Sequence, residues 1–103
     1  MAVVMSKRHT VLKNEMGTLT CEISEEGCWF LHFELHKWSK RLYKESLVFF
    51  YKWLHTLHEK GVYAVFVLIP EGDDKLYKWE EMFGFKEIDR KGGQILMALS
   101  TGE

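Results

Sequence analysis

The sequence has almost none of the residues that interrupt a fold. Pro70 is the single proline among 103 residues, and the chain has no low-complexity stretch and no internal repeat. Since such segments mark linkers, we expect one domain over residues 1–103. Hydrophobic residues make up 47% of the chain and aromatic residues 15%, which is enough apolar surface for one core and argues against disorder.

An excess of charge of either sign is also missing. The 14 basic and 15 acidic residues leave a formal net charge of −1, which gives no overall field to attract nucleic acid or a membrane surface. No apolar run is long enough to span a membrane, and the opening residues MAVVMSKRHT hold too short a run for a secretion signal. We therefore expect a cytoplasmic protein whose two cysteines, Cys21 and Cys28, are reduced thiols.

Alternating and β-rich segments predict six strands. They lie at residues 9–13, 16–23, 28–35, 62–69, 85–89 and 94–99. Turn residues at 24–27 join the second and third strands into a hairpin, in which we expect Cys21 to face Phe30. The segment at 62–69, VYAVFVLI, is nearly all apolar, which is typical of a strand buried on both faces.

Two segments have the spacing of amphipathic helices. The first covers residues 40–60, and the second covers about 72–83 and ends at Gly84, which suits a left-handed cap because it has no Cβ. Together with the strands this gives the order β-β-β-α-β-α-β-β, an α+β fold with a mixed, partly antiparallel sheet and two main helices. The expected core residues are Leu47, Phe50, Leu54, Leu57, Val65, Val67 and Phe85, with Tyr43, Phe49 and Trp53 broadening the stripe of the first helix.

Three segments in this order, VYAVFVLI, DDKLYKWEEMFGFKEI and GGQILMAL, resemble the GNAT superfamily of N-acetyltransferases. The match covers residues 28–99, and the Gly84-Phe85 helix ending and the strand order carry it. The resemblance implies a GNAT-like fold, acetyl-CoA or another acyl-CoA as cofactor, and direct attack of an amine on the thioester. The chain is also similar, more loosely, to small acetyltransferase-like proteins of tailed bacteriophages, which share a Cys-Trp-Phe strand and a glycine-poor helix start.

The start of the first helix is the expected binding site for the CoA pyrophosphate. In the family, Arg/Gln-x-x-Gly-x-Gly/Ala presents backbone N–H groups to the phosphates. The aligned residues 41–46, RLYKES, carry Lys44 in place of a glycine. Four cations cluster here, Lys37, Lys40, Arg41 and Lys44. They oppose the helix dipole, which a bound anion would offset, although a plain solvated helix start is the alternative. The expected cofactor-binding residues are Trp38, Lys40, Arg41, Lys44, Glu45 and Ser46.

The resemblance also implies a base and an acid. The third strand ends where the family supplies a base, so Glu34 or His36 is expected in that role, with His32 on the same face as Glu34. A sheet histidine and an edge carboxylate without catalytic roles are the alternative. The family commonly places a tyrosine that acts as general acid four residues before the glycine that aligns with Gly84. Here Glu80 occupies that position, which leaves nearby Tyr77 as the candidate acid.

Two hypotheses for the function follow. The first is an acyl-CoA-dependent N-acyltransferase that acts on an amine of a protein or small molecule. The second is a catalytically degenerate GNAT-fold binding module, phage-encoded, that docks on a host or viral protein, since Lys44 and Glu80 depart from the family pattern. His55 and His58 have a spacing that can bind a metal, but no third ligand is indicated, so we expect no metal site.

Overall fold

The computed structural model describes residues 8–102. The predicted order of elements and the α+β class are confirmed, and every boundary lies within two residues of the prediction. The elements are β1 (His9–Asn14), β2 (Gly17–Ile23), β3 (Trp29–Leu35), α1 (Lys40–Glu59), β4 (Ala64–Pro70), α2 (Asp74–Met82), β5 (Lys86–Lys91) and β6 (Gln94–Ser100). The single-domain assignment stays a prediction, and residues 1–7, which include the apolar start of the chain, lie outside the described part.

All six strands form one sheet in the order β1-β2-β3-β4-β6-β5. The neighbours are antiparallel except β3 and β4, which run parallel on either side of the crossover through α1, as predicted. This parallel ladder contains only the pairs Trp29↔Val65 and Phe30↔Phe66. Beyond these pairs β3 continues to Leu35 and β4 to Pro70 without pairing with each other. The sheet therefore opens between its two central strands.

The core lies between the two helices and one face of the sheet. Helix α1 buries Phe50, Leu54 and Leu57 there, as its spacing predicts. The ring of Phe33 on β3 is a common contact of both helices, with centroids 6.3 Å from Phe50 of α1 and 5.4 Å from Phe83 at the end of α2. Leu47 is only partly buried, and the placement of Phe49 in the core stripe is wrong, since its side chain is 41% exposed.

The prediction that β4 is buried on both faces is also wrong. Val65, Val67 and Ile69 are at most 2% exposed, but Leu68 on the other face is 40% exposed. The reason is that the helices contact the sheet through the face that carries Trp29 and Phe33. The apolar run of β4 is therefore covered on one face only by the described residues.

The register of the β2–β3 hairpin differs by one residue from the prediction, because Cys21 pairs with Leu31 rather than Phe30. Ser24 and Cys28 close the turn, since the Ser24 N–H donates to the Cys28 carbonyl at 2.9 Å and the Cys28 N–H donates to Ser24 Oγ at 3.0 Å. Three residues are enclosed, and the last, Gly27, has φ 86° as such loops require. Both cysteines are free thiols, and burial raises the pKa of Cys21.

The C-terminus of α2 is closed by backbone and side-chain hydrogen bonds. Gly84 has φ 102°, the Phe85 N–H donates to the Glu80 carbonyl at 3.2 Å, and the Gly84 N–H donates to the Glu81 carbonyl at 3.0 Å. This is a Schellman motif, and it confirms the predicted glycine cap. The next two carbonyls, of Met82 and Phe83, accept from the hydroxyl groups of Tyr43 and Tyr51 of α1, each at 3.0 Å. The last turn of α2 is thereby fixed against α1.

Truncating the core of α1 tests the packing. Leu54→Ala removes a side chain that is 2% exposed, and we expect a loss of roughly 2–5 kcal/mol in the free energy of unfolding. Val48→Ala on the same helix is the matched control, since Val48 is 57% exposed and its truncation leaves no cavity. Denaturant melts of both variants measure the effect, and equal losses would contradict the assignment of the buried face.

Replacing Gly84 tests the cap. A side chain at φ 102° is strained, and its Cβ would lie 3.2 Å from Leu99 Cδ1, so Gly84→Val is expected to cost roughly 1 kcal/mol or more. Lys86→Val, on the exposed start of β5, introduces the same side chain without either problem. A Gly84→Val variant as stable as the wild type in thermal or urea unfolding would refute the positive-φ cap.

Candidate functional site

The opening between β3 and β4 forms a cleft with a volume of about 160 Å³. Both strand edges beyond the parallel ladder border it, and α2 closes one side. Six of its eight lining residues have apolar side chains, and the other two, His32 and Glu80, are titratable. The lining residues are Leu31, His32, Phe33, Val67, Leu68, Ile69, Leu76 and Glu80.

Glu80 is buried in this cleft without a partner. Its side chain is 1% exposed, and neither carboxyl oxygen has a hydrogen-bond partner among residues 8–102. Burial disfavours the charged form and raises the pKa of Glu80 to about 9. The residue is therefore a neutral carboxylic acid at neutral pH. Its helix is held at both ends, by the cap at Gly84 and by Asp73, whose side chain accepts from the Leu76 N–H at 3.1 Å.

His32 lines the same cleft from β3. Its Nε2 lies 3.1 Å from Glu22 Oε1, the same oxygen that accepts from Arg8 Nε at 2.8 Å. Burial lowers the pKa of His32, and the nearby charge of Arg8 lowers it further, while Glu22 partly offsets both effects. The imidazole is therefore neutral at neutral pH and able to accept a proton. One cleft thus contains a neutral acid and a neutral base, an arrangement typical of acid–base sites.

A second cavity, of about 310 Å³, lies between α2 and the loop that joins β3 to α1. We call it the lysine groove because Lys37, Lys75 and Lys78 line it. Its other lining residues are Leu35, His36, Trp38, Trp79 and Met82. The Nε1 atom of Trp79 is buried and has no hydrogen-bond partner among the described residues. The groove therefore combines positive charge, aromatic surface and one unused donor.

The turn between β1 and β2 holds the loop of the lysine groove. The carbonyl of Met16 accepts from the N–H groups of His36, at 2.8 Å, and Lys37, at 3.3 Å. Gly17 makes this approach possible, because a Cβ at that position would overlap the carbonyl oxygen of Glu34. Trp38 follows in the loop, with its ring 5.8 Å from Trp79, and it remains 56% exposed.

Most of the expected pyrophosphate residues lie on α1 itself. The helix begins at Lys40, so the backbone from Tyr43 onward already donates within the helix, beginning with the Tyr43 N–H to the Ser39 carbonyl at 2.8 Å. Arg41 pairs with Glu45 at 3.3 Å, and both side chains are exposed. Ser46 is buried and accepts from Asn14 at 3.0 Å. Of the expected set, Trp38 lines the lysine groove, and Lys40, Arg41, Lys44, Glu45 and Ser46 do not.

The three expected catalytic residues lie in different surroundings. Glu34 is exposed and lies two residues beyond His32 on the same face of β3, and His36 lines the lysine groove. Tyr77 donates from its hydroxyl to Glu87 Oε1 of β5 at 3.1 Å and lines neither the cleft nor the groove. The sequence also gave no reason to choose Lys75 and Lys78. The family position of Glu80 was the available signal, and its burial was what the sequence did not show.

Comparison with known proteins supports the fold. The sequence matches no family model. It also matches no curated protein. Among solved structures the chain is similar to SsHAT, with a TM-score of 0.60 and 29% identity over 73% of this chain and 37% of that one. It is also similar to FdhC, described as a nucleotide-linked sugar GNAT, with a TM-score of 0.54 and 12% identity over 82% of this chain and 57% of FdhC.

The chain has the fold of the GNAT acetyltransferases. It spans well under two thirds of the length of SsHAT and of FdhC. In residues 8–102 no three histidine, cysteine or acidic side chains are grouped as a metal site would need. Neither helix of that part is long and apolar enough to cross a membrane.

The neutral state of Glu80 predicts a dependence of stability on pH. Because its pKa is raised from 4.5 to about 9 on folding, its contribution to stability is complete below pH 4.5 and is lost as the pH rises to 9. Glu80→Gln cannot ionise, so the variant should gain stability relative to the wild type by up to roughly 1.4 kcal/mol per pH unit within this window.

Urea unfolding at several pH values measures this difference. Glu81→Gln, at the exposed neighbouring position, is the control and should show no such trend. A constant difference between the wild type and Glu80→Gln across the window would mean that Glu80 titrates normally.

Proposed function

We propose that the chain is an acyl-CoA-dependent N-acyltransferase that acts on an amine of a protein or small molecule. The observation that carries the proposal is the cleft between β3 and β4 of this GNAT-like fold. In this chain the cleft contains a buried neutral acid, Glu80, and a neutral histidine, His32. An acyl-CoA supplies a thioester, an activated acyl group that an amine attacks directly. The chain must bind the acyl-CoA, accept a proton from the amine and return a proton to the leaving sulfur.

The described residues fit such a ligand. The apolar walls formed by Leu31, Val67 and Ile69 suit the chain of an acyl-pantetheine arm. The facing edges of β3 and β4, which do not pair with each other beyond Phe30 and Phe66, offer backbone groups to its amides. Helix α2 has two buried side-chain groups without a hydrogen-bond partner among the described residues. The carboxyl group of Glu80 borders the cleft, and the indole of Trp79 borders the lysine groove.

The lysine groove is the better site for the phosphate groups than the stretch 41–46. Lys37, Lys75 and Lys78 bring three positive charges to one cavity, which Arg41 does not line. Lys37 pairs with Glu15 and Arg41 with Glu45, each at 3.3 Å, so the lysines that distinguish the groove are Lys75 and Lys78. Ser39 caps α1 by accepting from the Leu42 N–H at 3.3 Å, which leaves the first-turn N–H groups of Lys40 and Arg41 as further anion donors. Trp38 presents its exposed ring at the groove, where an adenine base can stack.

His32 is the base that the cleft favours. It is neutral, it lines the cleft, and the carboxylate of Glu22 at 3.1 Å would stabilise the imidazolium once a proton has been accepted. Glu34 and His36 remain alternatives, because Glu34 shares the face of His32 and His36 follows at the end of the same strand. The open face of β3 gives the amine access to this side chain.

Titration with CoA tests the binding step. The unfolding temperature of the wild type should rise, by an amount that corresponds to about 2.7 kcal/mol at a hundredfold excess over the dissociation constant. Lys78→Glu should weaken CoA binding more than Arg41→Glu, since only Lys78 lines the groove. Added salt should weaken binding as well, because exposed ion pairs are screened.

Lys52→Glu is the matched control, because it reverses a charge on the exposed side of α1 outside both cavities. Isothermal calorimetry gives the dissociation constants. An undetectable interaction at millimolar CoA would reject the acyltransferase.

A binding module without catalysis is the second candidate. The outward side of α1 exposes Val48, Phe49 and Tyr51 at 57%, 41% and 43%, which is an apolar surface suited to another protein. The proposed partner is a host or viral protein, in line with the looser likeness to phage proteins. Failure of CoA binding together with unchanged folding would favour this candidate.

A further inference from the structure

We propose that Glu80 is the proton donor of the cleft and gives its carboxyl proton to the sulfur atom that leaves during acyl transfer. The inference rests on the proposed function and assigns a role that the expected site residues left to Tyr77. The position of Glu80, its missing hydrogen bonds and the composition of the cleft each point to it.

The missing hydrogen bonds indicate a ligand. A buried polar group normally has a partner, since leaving it unsatisfied costs about 1–3 kcal/mol. Both oxygens of Glu80 lack one among the described residues, although the backbone carbonyls of residues 80–83 around it all accept hydrogen bonds. Glu80 is thus one of two buried side chains of α2 that folding leaves unsatisfied, with Trp79, and it is the one that lines this cleft. A sulfur or carbonyl group entering the cleft would supply the partner.

The surroundings of Glu80 explain why it keeps its proton until then. The cleft is lined by seven other residues, of which only His32 is titratable, and His32 is neutral. The neighbouring acids of α2, Glu81 and Asp74, lie at exposed positions. None of the described residues that line the cleft carries a positive charge that would stabilise a carboxylate. The acid becomes a good donor when a negative charge develops beside it, as a thiolate does.

Tyr77 does not compete for this role. Its hydroxyl already donates to Glu87, and this hydrogen bond raises the pKa of Tyr77 further from neutrality. The residue lies three positions before Glu80, on the part of α2 that contacts β5. To reach the cleft, the Tyr77 side chain would have to break its hydrogen bond to Glu87 and move around the helix to the face that carries Glu80.

The proton balance of the reaction closes with the residues of this cleft. The amine nitrogen forms a bond to the acyl carbon while the bond from that carbon to sulfur breaks. The base, His32, takes one proton from the amine, and Glu80 gives one proton to the sulfur. Products are an amide and a thiol, and proton exchange with water restores His32 and Glu80. No oxidant, metal or further reactant is needed.

The protonation state of Glu80 in the free protein is the first test. In protein labelled with ¹³C at glutamate carboxyl carbons, one signal, identified by its absence from Glu80→Gln, should remain at the position of a protonated acid at pH 7. This readout needs no ligand and no activity. A Glu80 signal at the carboxylate position at pH 7 would overturn the proposal and leave the acyltransferase untouched.

The second test compares two leaving groups. With acetyl-CoA, Glu80→Gln should lower the transfer rate about 100- to 10,000-fold, the range for loss of a general acid. With the acetyl thioester of 4-nitrothiophenol the loss should fall below about tenfold, because an aromatic thiolate leaves without a proton. The affinity for CoA, measured by calorimetry, should change little, and Glu81→Gln should behave as the wild type in every assay.

Each other result decides the question. Equal losses with both thioesters, or loss of CoA binding in Glu80→Gln, would show that Glu80 shapes the cleft and does not donate a proton. A wild type that neither binds CoA nor uses either thioester would reject the proposed function, and the proposed role of Glu80 with it.

Discussion

The parallel ladder between β3 and β4 is the constraint on which the rest of the molecule depends. It joins the antiparallel group β1-β2-β3 to the antiparallel group β4-β6-β5, and it contains two residue pairs. Extending it would close the cleft, and removing it would leave the halves of the sheet held together through the helices alone. The aromatic pair Phe30 and Phe66, with centroids 5.8 Å apart, lies at its last pair and marks where the strands begin to separate.

Helix α2 turns this opening into a site with defined chemistry. The Schellman cap and the two tyrosine hydroxyls from α1 fix its last turn, and Phe83 packs on Phe33 and Phe50 beneath it. With its end held in this way, the helix keeps Glu80 buried against the cleft. The burial that stabilises the fold is therefore also the cause of the raised pKa of Glu80.

Much of the fold could be predicted from the sequence because it is encoded locally. Strand alternation, the stripe at Phe50, Leu54 and Leu57, and the requirement for positive φ at Gly84 depend on neighbouring residues alone. The errors concern what lies across the fold. The apolar run of β4 does not reveal how many layers of structure cover the strand. The register of the β2–β3 hairpin depends on a hydrogen bond to the side chain of Ser24, which composition does not show.

The candidate site was predicted less well for the same reason. The cleft depends on where a ladder stops, and the lysine groove combines side chains that are about 40 residues apart, such as Lys37 and Lys78. Trp38 and His36, expected as a cofactor-binding residue and a base, are neighbours in the chain, and both line the lysine groove. Glu80 looked like a departure from the family pattern, and only its burial gives the substitution a chemical meaning.

Mapping the ligand by NMR tests the central claim most directly. In ¹⁵N-labelled protein, addition of CoA should shift the amide signals of both walls of the cleft, Leu31–Phe33 on β3 and Val67–Ile69 on β4, together with those of Lys75 and Lys78. Signals from β1 should remain in place. Shifts confined to one wall, or to the exposed side of α1, would contradict a ligand held between the separated strands.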